Sequence, residues 1–181
     1  MHEIALYGGA FNPPHAGHAR VMIEASRQAR KVMVMPSFRH PDGKCMADYA
    51  VRLQWLRSIV AHVQKDCAAD ICVSDTEQHL AAQQAGPIYS YTLLDHMARC
   101  LGIADHALAL VVGPDVLQQL PRFYRGRELL ERFAVICIDE QIGVRSSTLR
   151  ERLINGEPVP PHWMAPGMNP LNYGLYAAHG H

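Results

Sequence analysis

The sequence predicts an α/β fold: a single doubly wound domain over residues 1–181, built on a mostly parallel sheet of five or six strands. Three observations carry this. Short apolar runs alternate with longer segments of helical period along the chain. Several of the runs are apolar nearly throughout, as strands covered on both faces are. No internal repeat, low-complexity tract or long linker divides the 181 residues, a length that buries a substantial core.

The elements follow in order. "EIALYG" (3–8) is the first predicted strand. Behind it His18, Met22, Ala25 and Ala29 step by four, three and four, the stripe of an amphipathic helix. "KVMVMP" (31–36) predicts the second strand, which runs into the proline- and glycine-containing loop "PSFRHPDGKCMADY" (36–49). Tyr49, Leu53, Leu56, Val60 and Val63 mark a second helix, with Arg52 and Arg57 off the stripe. "DICVS" (70–74) reads as the third strand. Leu94, Met97 and Leu101 mark a third helix, which Gly102 is placed to end in the left-handed conformation. "HALALVVG" (106–113) is the fourth strand, and a helical region over about 115–132 follows, broken near Pro121. "FAVICI" (133–138) is the fifth. "SSTLRERLING" begins a last helix, in which Thr148 and Glu151 have the spacing of a capping box and Gly156 is the stop. A second loop, "GEPVPPHWMAPGMNP" (156–170), comes after it, and the closing "HGH" is too short for a tag. Strand–helix alternation of this kind implies right-handed crossovers and a Rossmann-like sheet.

Composition narrows the function classes. Lys plus Arg equals Asp plus Glu at 17 each, which argues against a dedicated partner of nucleic acid or an anionic membrane but leaves room for a local phosphate pocket. No apolar segment approaches the roughly 18 residues of a membrane span, and the N-terminus lacks a basic stretch followed by a long apolar run. The five cysteines are odd in number and scattered without CxxC spacing, as expected of a reduced, cytoplasmic enzyme.

The densest chemistry lies in "ALYGGAFNPPHAGHAR" (5–20). In such a sheet ligands sit beyond the carboxyl ends of strands. Gly8 and Gly9 end the first strand, Gly17 opens the first helix, and His15 and His18 flank that opening. Glycines admit close backbone approach, and a helix N-terminus offers unpaired N–H groups to an anion. The spacing is neither GxGxxG nor a Walker loop, and the histidine pair lacks a third zinc ligand or an HExxH glutamate. On these residues alone the stretch is either a capped strand-to-helix turn or a cradle for phosphate.

"GGAFNPPHAGH" (8–18) resembles the GGxFxPxHxGH signature of the nucleotidylyltransferase superfamily, and its leading GGxF and asparagine–proline portion narrow the resemblance toward the nicotinate and nicotinamide mononucleotide adenylyltransferases. Three further segments are similar to that family in the required order. They are "YSYTLLDHM" (89–97), "VVGPDVLQQLPRFY" (111–124) and "VRSSTLRERL" (144–153), so that nearly the whole chain takes part.

The resemblance implies transfer of AMP from ATP to nicotinate mononucleotide by direct in-line attack, giving nicotinate adenine dinucleotide and pyrophosphate. It implies His15, His18 and Arg150 as catalytic residues. Gly8, Gly9, Ala10, Phe11, His15, His18, Gly113, Asp115, Ser146, Ser147 and Arg150 would hold ATP, and Tyr91, Thr92, Phe123 and Lys44 the mononucleotide. Mg2+ is expected with ATP, ligated by phosphate oxygens and water, with no metal residue of the chain's own. The residues also speak for Arg150: placed in the first turn by the capping box, a cation there opposes the helix dipole unless an anion binds. Asp115, by contrast, could simply cap the helix that follows it.

Three departures bear on the substrate. Phe123-Tyr124 stands where bacterial nicotinate mononucleotide enzymes usually carry Trp-Tyr, Phe38 to Lys44 replaces a PPHK-like loop, and Arg145 occupies the usual place of a serine. The same transfer to nicotinamide mononucleotide, transfer to another acceptor such as pantetheine phosphate, and a nucleotide sensor without turnover are the competing readings. The oligomeric state is left open.

Overall fold

The computed structural model describes residues 1–40 and 42–174; the closing His-Gly-His lies outside the described residues. Five strands form the sheet: β1 (His2–Gly9), β2 (Ala29–Pro36), β3 (Asp70–Val73), β4 (Leu108–Val112) and β5 (Ala134–Cys137). All pairings are parallel, in the order β3-β2-β1-β4-β5. The helices are α1 (Ala16–Ser26), α2 (Tyr49–Val63), α3 (Thr76–Gln83), α4 (Ser90–Leu101), α5 (Pro114–Gln119), α6 (Gly126–Arg132) and α7 (Ser146–Asn155). None is long and apolar enough to cross a membrane among the described residues.

The strands are hydrophobic on both faces because both are covered. Ala5, Val32, Val34, Ala109 and Val111 pack with Met22 of α1 and Leu56 and Ile59 of α2. Their chain neighbours Leu6, Met35, Leu108, Leu110 and Val112 point the other way, into a core with Leu94 and Met97 of α4 and Leu129 of α6. A smaller cluster of Trp55, Leu149 and Tyr173 fastens the C-terminal segment to α2 and α7.

Strand order reverses at β1, which pairs with β2 on one side and β4 on the other. Such a switch opens a crevice beyond the carboxyl ends of the strands. It falls here between Gly9, the last residue of β1, and Gly113, the first after β4.

Several expectations change in the structure. α3 was not expected: of its residues only Glu77, Leu80 and Ala81 are buried, too thin a stripe to read as a period. α7 begins at Ser146 with Arg145 at the N-cap and no side-chain cap bond, so the Thr148–Glu151 capping box does not form and Arg150 stands in the second turn. Asp115 is likewise no cap, because Gly113 holds that position ahead of α5. Arg52, expected off the buried stripe, is 1% exposed. The break near Pro121 is present as a 3-10 turn over Leu120–Arg122, and Gly102 and Gly156 end α4 and α7 with φ of 63° and 66°.

Candidate active site

Residues 10–15 carry the chain from β1 into α1, and four side chains from distant elements hold this turn by its carbonyls. Arg52 of α2 donates from Nη1 to the Ala10 oxygen at 2.8 Å, and Arg150 of α7 to the Asn12 oxygen at 2.6 Å. The Ser146 hydroxyl donates to the Pro13 oxygen at 2.9 Å, and the Tyr173 hydroxyl to the Pro14 oxygen at 2.5 Å. Phe11 takes the left-handed conformation at φ 47°, strained for a residue with a Cβ. Burial of its ring, 5.3 Å from Tyr7 and 5.0 Å from His18, offsets that strain.

The two histidines cap α1 reciprocally. His15 Nδ1 accepts from the Gly17 N–H at 3.1 Å, and His18 Nδ1 accepts from the His15 N–H at 3.0 Å. An imidazole nitrogen that accepts is unprotonated, so each neutral ring carries its proton on Nε2. The rings lie 3.8 Å apart, and a Cβ at position 17 would meet the His15 ring at 3.0 Å, so glycine gives the ring its room. Burial, and secondarily the charge of Arg145, lowers His15 to about 4. Burial and the neighbouring His15 hold His18 well below its usual value. Both rings are neutral at pH 7, each carrying an Nε2–H rather than a positive charge. A capped turn does not preclude an anion cradle, since capping uses only the Nδ1 atoms.

A cavity of about 270 Å³ opens at the switch point. Of the residues that the sequence nominated for ATP, it brings together His15, His18, Gly113 and Ser146, joined by Tyr7, Glu140 and Arg145. Gly8, Gly9, Ala10 and Phe11 form the adjoining strand end and turn without lining the cavity. Arg150 does not line it either; its guanidinium is bonded to the Asn12 carbonyl. Asp115 and Ser147 are exposed near the starts of α5 and α7.

A second cavity, about 370 Å³, is formed by the 38–49 loop and α2, with Arg39, His40, Lys44 and Tyr49 in its wall. Arg52 lines it too and ties it to the first turn, donating to Ala47 O at 2.9 Å as well as to Ala10 O. Asn12 adds a second tie by accepting from the Ala47 N–H at 2.9 Å. Behind Phe38 the buried Glu77 accepts its N–H at 2.9 Å; burial raises this carboxyl to about 7 against the lowering effects of that bond and of Arg52.

The residues nominated for the mononucleotide are not gathered in one place. Lys44 belongs to the second cavity, whereas Thr92 and Phe123 line neither of the two. Phe123 is 40% exposed beside Tyr124, whose ring stacks on Tyr89 at 4.8 Å. Tyr91 is buried in the core. Its ring packs against Phe133, Arg125 stacks 4.0 Å above it, and its hydroxyl bonds Glu128 and Arg132. In a helix only some of these neighbours face outward, and here the buried one is Tyr91. Arg52 and Tyr173 were missed because nothing local marks a side chain whose partner is far along the chain, and Glu140 because it lies in a loop with no periodic pattern to place it beside the cavity.

The sequence profile of the cytidylyltransferase-like family matches residues 6–169. A "Probable nicotinate-nucleotide adenylyltransferase" of Anaeromyxobacter sp. (strain K) is 33% identical over 172 residues, 87% of each chain. A Vibrio parahaemolyticus structure assigned to the nicotinate-nucleotide adenylyltransferases superimposes with a TM-score of 0.76 at 28% identity, covering 98% of this chain and 99% of that one. The nicotinic acid mononucleotide adenylyltransferase of Plasmodium falciparum, complexed with NaAD, shares the fold at a TM-score of 0.75 and 17% identity over 98% of both chains. With its histidine-capped turn at the sheet's switch point, the chain belongs to the cytidylyltransferase-like nucleotidyltransferases and, among them, to the nicotinate-nucleotide adenylyltransferase family.

Proposed function

We propose that the chain transfers the adenylyl group of ATP to nicotinate mononucleotide, releasing pyrophosphate and forming nicotinate adenine dinucleotide. The observation that carries this reading is the neutral histidine pair at the start of α1, with both Nδ1 atoms engaged in capping and both Nε2–H donors left for a ligand. Curated relatives of the same length named for this reaction support it.

In the reaction an oxygen of the mononucleotide's phosphate bonds to the α-phosphorus of ATP. The bond from that phosphorus to the oxygen bridging to the β-phosphorus breaks, and its electron pair leaves with pyrophosphate. No proton needs to change hands, so the protein's part is to position the reactants and stabilise oxygens that gain charge. His15 and His18 would donate to those oxygens, His18 most directly at the transition state. Ser146 would support the same phosphates, Arg150 would act through the turn it braces at the Asn12 carbonyl, and Gly113 and Asp115 would border the ribose. Lys44 would meet the acceptor's phosphate, with Thr92 and the open face of Phe123 toward its pyridine ring.

Magnesium would enter with ATP. Among the described residues Glu140 is the one carboxylate lining the first cavity, and it is paired with Arg145. Among the described residues no group of three or more His, Cys, Asp or Glu could hold a metal. The ion's ligands would be phosphate oxygens and water, where it neutralises charge.

The test is pyrophosphate release from ATP and magnesium with nicotinate mononucleotide, nicotinamide mononucleotide and pantetheine phosphate in parallel. Fast release with the nicotinate form alone is expected. Release with another acceptor moves the substrate, and ATP binding without release from any acceptor makes the chain a sensor.

A further inference from the structure

The first cavity poses a charge problem. A triphosphate brings about four negative charges, yet the histidines facing it are neutral. Arg150 is not among the lining residues and is engaged with the Asn12 carbonyl. Among the described residues that line the cavity, Arg145 alone is an arginine or lysine, and a carboxylate, Glu140, shares the wall with it. An acidic side chain in a polyanion's pocket is costly unless something holds it in check.

We propose that Arg145 is the fixed positive charge of the nucleotide cavity, binding the polyphosphate of ATP and the pyrophosphate it becomes, with Glu140 holding the guanidinium at the wall until the anion takes it. This rests on the nucleotidyl-transfer reading above. Arg145 is at the N-cap of α7 in an extended conformation (φ −115°, ψ 140°), just before Ser146, whose hydroxyl anchors to Pro13. Its backbone is thereby tied to the histidine turn. Its side chain stays adjustable: the contact to Glu140 is 3.9 Å long, between side chains 70% and 41% exposed. An ion pair of that kind is weak, and a multiply charged phosphate competes with a single carboxylate on favourable terms. The planar guanidinium can meet two phosphate oxygens at once, which neither imidazole can do. Arg145 also acts electrostatically on His15, one of the two causes of its lowered pKa, so its charge already reaches the place where the phosphates would lie.

The experiment measures ATP and pyrophosphate binding by calorimetry at two salt concentrations, for wild type, Arg145→Gln, Arg145→Lys and Glu140→Gln, with melting curves alongside. Because Arg145 is exposed, Arg145→Gln should melt with wild type. It should bind ATP and pyrophosphate about ten-fold more weakly, with a shallower salt dependence. Arg145→Lys, which keeps the charge but loses the two-pronged contact, should restore the salt dependence and only part of the affinity, and Glu140→Gln should tighten ATP two- to three-fold, roughly the effect of removing one screened like charge. Affinity for the mononucleotide should not move. Arg145→Gln binding both ligands within two-fold of wild type overturns the proposal. The comparison uses ATP binding, so it reads Arg145 even if no acceptor is turned over; failure of transfer by a wild type that binds ATP overturns the reaction instead.

Discussion

The Tyr173 hydroxyl donates to the Pro14 carbonyl at 2.5 Å, joining the C-terminal segment to the residue just ahead of His15 across 159 positions of sequence. Tyr173 is 1% exposed, and its ring meets Trp55 edge-on at 5.0 Å, while Trp55 Nε1 holds the Asn172 oxygen at 2.9 Å. Tyr173→Phe keeps the ring in place and strands a buried carbonyl. We expect a loss of about 1–3 kcal/mol of stability and a several-fold drop in kcat. Denaturant melts and steady-state pyrophosphate release check both, and unchanged turnover would show that the turn does not depend on this strap.

His18→Ala removes one Nε2–H donor and half of the capping box. Turnover should fall by roughly 10² or more while the affinity for ATP changes less, the pattern of a contact that matters most in the transition state. Losing the cap should also cost about 1 kcal/mol of stability. Equal losses in kcat and ATP affinity would assign His18 to ground-state binding.

Stability should respond to pH through groups of opposite sign: His15, with His18 acting in the same direction, against Glu77. His15 is lowered from 6.5 to about 4, so between these values the unfolded chain binds more protons. Its contribution, at most about 3 kcal/mol, is complete above 6.5 and lost as pH falls toward 4. Glu77 is raised from 4.5 to about 7, so the folded chain binds more protons there; its contribution is complete below 4.5 and lost as pH rises through 7. Glu77→Gln keeps an acceptor for the Phe38 N–H and removes the second trend. Unfolding free energy measured from about pH 5 to 7 should then climb more steeply with pH than in wild type. Parallel curves for the two proteins would refute the assignment.

A Cβ at Gly126 would stand 1.8 Å from the Leu120 carbonyl oxygen, a backbone atom that cannot swing aside. Gly126→Ala should therefore destabilise by more than about 3 kcal/mol, measured as a shifted denaturation midpoint. The displaced segment, 120–126, carries Phe123, proposed above to face the pyridine ring, so the KM for the mononucleotide should rise more than that for ATP.

Strands and long helices were legible because burial imposes a period on neighbouring residues. α2 occupies Tyr49–Val63 as its stripe predicts, and the two-sided apolar runs of β1, β2 and β4 lie in a sheet covered on both faces. The clustering of His15, His18 and Gly17 was legible for a related reason: helix capping is local, and all its partners lie within a few residues. Arg52 and Tyr173 were not legible. An arginine off an apolar stripe ordinarily faces water, and this one is buried because the Ala10 carbonyl, 42 positions away, comes to meet it. The Thr148–Glu151 spacing misled for the converse reason, since the helix begins where Ser146 is anchored to Pro13.

By itself, then, the sequence determined the parallel α/β sheet, the histidine turn at its switch point and the family signature, all of them properties of neighbours in the chain. Only the tertiary structure decided which charges reach the cavity, that Arg150 braces the turn while Arg145 lines the pocket, and that Tyr91 belongs to the core. Those outcomes depend on hydrogen bonds between distant segments, and nothing in the local pattern of residues encodes such a partner.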